Sequence, residues 1–85
     1  MTDLCETIEM MNSSDYKERF KAEYYQTKIR YDRLHKMIVK YEVGSLDFQP
    51  VCSLEVLKTQ ASNMGAYLYV LELRAEAEGI ELQDV

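Results

Sequence analysis

Between residues 54 and 78 the chain reads LEVLKTQASNMGAYLYVLELRAEAE. Its apolar residues fall at Leu54, Leu57, Ala61, Met64, Leu68, Leu71 and Ala75. Steps that alternate three and four place all seven on one stripe of an α-helix. A second set, Ala66, Tyr67, Val70, Leu73 and Ala77, covers a neighbouring face of the same segment. A helix that is apolar over two faces needs two packing partners. The rest of the chain has to be searched for them.

The first partner lies upstream. Phe20, Tyr24, Thr27, Tyr31, Leu34, Ile38 and Tyr41 step by four and three along residues 15–43. This is the seam of a helix that packs lengthwise against another. Asp15 with Glu18 makes a capping-box start, and Gly44 stands where a helix stop is expected. Ser53 caps the second long helix, Glu55 occupies its first turn, and Gly79 ends it. Only three Gly and one Pro interrupt the 85 residues, which suits long helices better than a small sandwich or barrel.

The expected architecture is therefore all-α. Two long helices of matched length, at about 15–43 and 53–78, form an antiparallel hairpin joined by residues 44–52. Leu46, Phe48 and Val51 in that connection are expected to fold over the end of the core. Residues 1–14 form a short N-terminal helix or a frayed arm. Asp3 with Glu6 resembles a capping box, and Leu4, Ile8 and Met11 share a face. In the tail, 79–85, Ile80 and Leu82 are the residues able to dock. The hairpin leaves the second apolar face of the last helix open, to be covered partly by the N-terminal helix or by a second copy. A homodimeric helical bundle is the favoured outcome.

Charge is distributed unevenly about a net −5. Residues 15–42 sum to +3, residues 1–14 to −3 and residues 43–85 to −5. An antiparallel hairpin gathers Glu72, Glu76, Glu78, Glu81 and Asp84 at one end and Arg33, Lys36, Lys40 and Lys58 at the other. One reading is a solvated surface. A sharper one is an acidic pole that docks on a basic surface of another protein. The first long helix also interleaves bases with tyrosines, so a nucleic-acid or nucleotide binder stands as an alternative.

No reaction chemistry is written in the chain. His35, the single histidine, lies between Arg33 and Lys36 with Val39 four residues on, and reads as a surface or half-buried helix residue. Gly44, Gly65 and Gly79 are isolated, so there is no phosphate-cradling loop. Cys5 and Cys52 have no metal-type spacing and are expected as free thiols, one or both buried. The expectation is a cytoplasmic, non-enzymatic protein with no cofactor, no metal and no membrane span. Gly65 with Ala61, Ser62 and Ala66 forms a patch of small residues, read as close helix approach or as a notch for a partner's side chain. Tyr16, Tyr25, Tyr67 and Tyr69 lie outside the two seams and are candidates for an interface. Of these, Tyr25, Tyr67 and Tyr69 make the expected partner or dimer surface together with Ala66, Val70, Leu73 and Ala77.

The stretches YYQTKIRYDRLHKMIVKYEVGSLDF and CSLEVLKTQASNMGAYLYVLELRAEAEGIEL resemble a family of small helical-hairpin proteins of gut bacteriophages, crAss-like phages among them. The resemblance spans residues 18–82. It rests on a tyrosine-bearing first helix, a glycine-containing connection, and Leu57, Gln60, Met64, Glu78, Gly79 and Ile80. It brings no activity with it. It implies a phage or prophage source, where small acidic helical proteins often inhibit host defence or host enzymes. The leading expectation is thus a protein that binds and blocks a bacterial host or defence protein, an anti-CRISPR role being the sharpest form. A structural or assembly oligomer is the further alternative.

Overall fold

The computed structural model describes residues 3–83; Asp84 of the expected acidic pole lies outside the described residues. Three helices follow one another: α1 (Leu4–Met11), α2 (Tyr16–Val43) and α3 (Leu54–Glu78), with no strand among the described residues. Each start has its cap. Asp3 Oδ1 accepts from the Glu6 amide at 2.9 Å, Asp15 Oδ1 from the Lys17 amide at 3.0 Å, and Ser53 Oγ from the Val56 amide at 3.2 Å. Gly44 and Gly79 end α2 and α3 in the left-handed region, at φ 81° and 70°. There the Ser45 amide donates to Lys40 O and the Ile80 amide to Ala75 O, both at 2.9 Å.

α2 and α3 lie along one another. Tyr16 at the start of α2 meets Glu78 at the end of α3, Tyr24 meets Glu72, and Glu42 near the end of α2 meets Lys58 near the start of α3. Their contacts thus run in opposite order along the two helices. Phe20, Tyr24 and Ile38 of the α2 seam are buried, as are Leu57, Leu68, Leu71 and Ala75 of the α3 stripe. The other members of both seams are half-buried.

The core is unevenly placed. Phe20, Tyr24, Tyr25, Leu68, Leu71, Ala75 and Ile80 form one cluster, with Met10, Tyr31 and Leu82 packed against it. That cluster sits where α2 begins and α3 ends. The tail joins it, because Ile80 is buried and the Gln83 amide donates to Tyr25 Oη at 3.1 Å. At the connection end only Ile38 and Leu57 are buried.

Three expectations are corrected here. α1 runs against α2, with Met10 reaching the core cluster, and Ala66, Tyr67, Val70, Leu73 and Ala77 stay exposed, so it does not cover the second face of α3. Its anchor is Thr7, fully buried, whose Oγ1 donates to Leu4 O at 2.7 Å and accepts from Gln26 Nε2 at 2.9 Å. Of the three apolar residues expected to cover the core from the connection, Phe48 and Val51 are exposed and Leu46 is half-buried, so that segment does not close the core. Cys5 and Cys52 are free thiols, as expected, but both are exposed. Residues beside a connection that turns outward, or on the outer side of α1, have no apolar surface to enter.

Candidate functional site

Two surfaces stand out, one at the connection end and one along α3. At the connection end, Arg33, Lys36, Met37 and Lys40 of α2 face Leu46, Asp47 and Phe48 across an open groove of about 310 Å³. Spacings of three and four bring the three bases onto one side of α2. None of Arg33, Lys36 and Lys40 has an ion-pair partner among the described residues. Three cations within about two helical turns, set against the single carboxylate of Asp47 across the groove, make a net positive field that attracts an anion. Phe48, 55% exposed, adds an aromatic face that a planar ring can stack on. A second depression of about 200 Å³, lined by Tyr41, Gly44, Gln49 and Pro50, adjoins it and shares Leu46 and Phe48.

The charge pattern thus brings Arg33, Lys36 and Lys40 together, as expected. Lys58 is separate, because it pairs with Glu42. Nothing in the sequence singles out Met37 or Asp47, and Phe48 reads there as a cover for the core rather than as part of a site. The one signal was an aromatic residue two positions before Pro50, in a segment read as covering the core.

The outer side of α3 keeps Ala66, Tyr67, Val70, Leu73 and Ala77 exposed. Tyr69 is exposed as well, at 61%. A shallow depression of about 470 Å³ lined by Val56, Thr59, Gln60, Asn63, Met64 and Tyr67 continues the same side toward the start of the helix. Tyr25, expected in this set, is not part of it. It is 3% exposed, with its ring edge-on to Tyr24 at 5.9 Å between centroids. Adjacent residues on a helix point about 100° apart, so Tyr24 and Tyr25 need different neighbours. The tail residues Ile80 and Leu82 supply the second set.

The acidic end is partly used up by the fold. Tyr16 Oη donates to Glu78 Oε1 at 2.9 Å and accepts from Arg74 Nη2 at 2.7 Å. Arg74 also reaches Glu78 Oε2 at 3.4 Å and lies over the Phe20 ring at 4.9 Å. Desolvation works against the charge of Arg74, yet Tyr16 and Glu78 outweigh it and raise its pKa. Glu72 accepts from Tyr24 Oη at 2.8 Å. Glu72, Glu78 and Tyr16 therefore lock α2 to α3, whereas Glu76 and Glu81 remain exposed and unpaired among the described residues.

His35 is exposed and stacks on Tyr31, with ring centroids 6.2 Å apart and planes 14° from parallel. Among the described residues no three His, Cys, Asp or Glu side chains gather to hold a metal ion. No helix among them is long and apolar enough to cross a membrane.

Against known proteins, a family model described as Sequestin matches residues 14–77. The match starts just before α2 and stops one residue short of the end of α3, so both surfaces lie within it and α1 lies outside. No curated protein and no solved structure matches.

Proposed function

The chain belongs to the Sequestin family, and from that premise we propose that it acts by holding a target rather than by transforming one. The family's name hints at binding, which supports a binder. The target we propose is a phosphorylated small molecule with a planar ring, a nucleotide being the simplest case. It is held by Arg33, Lys36 and Lys40 on its phosphates and by Phe48 on its ring. The observation that carries this reading is the groove itself, with three unpaired bases on one side of α2 facing an exposed aromatic residue. The working unit is the antiparallel pair of long helices. Its setting is the cytoplasm of a bacterium infected by the phage that encodes it, where it removes a component of host defence without enzymatic turnover.

A second reading keeps the target a host or defence protein, blocked in the anti-CRISPR sense. It is favoured by Tyr69 and by the unpaired Glu76 and Glu81, which offer an amphipathic and acidic docking surface near the end of α3.

Calorimetric titration with mono- and dinucleotides separates the two. Binding is expected with 1:1 stoichiometry per chain, weakening as salt rises. Arg33→Ala and Lys40→Ala are each expected to weaken it about tenfold, as loss of a charge-assisted hydrogen bond implies. The ligand is expected to be recovered chemically unchanged after long incubation. If no nucleotide binds, and a host protein captured by the wild type is lost with Glu76→Lys and Glu81→Lys, the protein reading replaces it.

A further inference from the structure

We infer that Asp47 reads the base of the bound nucleotide and selects guanine. This rests on the nucleotide reading of the connection-end groove and names which nucleotide that groove takes. Asp47 lines the groove from the connection, beside Leu46 and Phe48, while Arg33, Lys36, Met37 and Lys40 line it from α2. An acid in a connection ordinarily serves the backbone, by capping a helix or closing a turn. Asp47 does neither. Its side chain is exposed and has no hydrogen-bond or ion-pair partner among the described residues, although three cations stand across the groove. The carboxylate is therefore open to donors that a ligand brings.

Acceptors are scarce in this groove. Arg and Lys only donate, Leu and Phe carry no polar side-chain atom, and the Met thioether accepts weakly. Asp47 is thus the strong side-chain acceptor of the lining, and it is next in sequence to the ring on which the base stacks. The Watson–Crick edge of an unpaired base is open to such a group. Guanine presents two adjacent donors there, N1–H and the N2 amino group, which match the two carboxylate oxygens. Adenine and cytosine present one amino donor beside a ring nitrogen whose lone pair a carboxylate repels. Uracil presents one N–H between two carbonyl oxygens. Guanine makes two charge-assisted bonds without repulsion, and the other bases do not.

The same carboxylate repels the phosphates held by Arg33, Lys36 and Lys40. A nucleotide that cannot bond to Asp47 therefore binds less tightly than it would if the carboxylate were absent. Asp47 weakens the wrong bases as well as favouring the right one, and specificity grows from that difference.

Calorimetric titration of the full chain with GMP, IMP, AMP, CMP and UMP is the test. GMP is expected to bind about tenfold more tightly than AMP, an equally large purine, and than either pyrimidine. IMP, which keeps N1–H and lacks the N2 amino group, is expected between GMP and AMP. A GMP analogue with carbon in place of N7 is expected to match GMP. Asp47→Asn is expected to weaken GMP about tenfold and to tighten AMP, with an unchanged circular dichroism spectrum. A carboxylate that acts through its charge alone would move GMP and AMP in the same direction on that substitution, and this result overturns the inference. Equal binding of all bases by the wild type, or preference for another base, overturns it too and leaves the nucleotide reading standing. Binding of none of these nucleotides overturns both.

Discussion

Gly65 is half-buried under Tyr31, and a Cβ built there would meet Tyr31 Cε1 at 3.5 Å, an ordinary contact. The small-residue patch around it therefore is not forced by helix approach at this position. A helical glycine costs about 1 kcal/mol relative to alanine. Gly65→Ala is expected to stabilise the chain by up to about 1 kcal/mol, seen as a rise of about 4–8 °C in Tm for a domain of this size. Gly65→Leu, which has to displace the Tyr31 ring, is expected to destabilise. Tyr25 makes the opposite point. Nothing in its spacing separates it from an exposed tyrosine, because its neighbours Ile80 and Leu82 reach it only once the chain has turned at Gly79. Tyr25→Phe removes the acceptor of the Gln83 amide. Faster hydrogen exchange at residues 80–83, with a stability loss of about 1 kcal/mol, is the expected result.

At the scale of elements, the helix boundaries were legible because their causes are local. Asp3, Asp15 and Ser53 each accept from an amide two or three residues on, and Gly44 and Gly79 supply the two positive-φ stops. The seams were legible for the same reason, since a period of three and four is a property of one helix. Which element α1 would dock on was not. Its decisive residue is Thr7, polar in sequence and fully buried, satisfied by Gln26 nineteen residues away. Such a pairing leaves no periodic trace. The groove stayed hidden for a related reason. Arg33, Lys36 and Lys40 were visible as a basic cluster, but Phe48 was read as a lid because an apolar loop residue usually covers a core. Ser53→Ala tests the local half of this account. It is expected to cost about 1 kcal/mol through loss of the α3 cap, with Ser53→Asp close to neutral, by chemical denaturation.

Over the whole molecule the two ends differ in what holds them. The end where α2 begins and α3 finishes has the aromatic cluster, the tail, and the bonds among Tyr16, Arg74 and Glu78. The connection end has Ile38, Leu57 and the exposed Lys58–Glu42 pair, and an exposed pair contributes little. Local opening free energies follow buried apolar contact, so the connection end is expected to open first. Hydrogen exchange read by mass spectrometry checks this. Amides of residues 36–57 are expected to exchange faster than those of residues 20–31 and 68–75. The same asymmetry gives the proposed ligand its effect. A nucleotide bridging Arg33, Lys36 and Lys40 on α2 to Phe48 in the connection ties two segments that little else joins, so protection is expected to rise at residues 33–48 and stay level at the aromatic cluster.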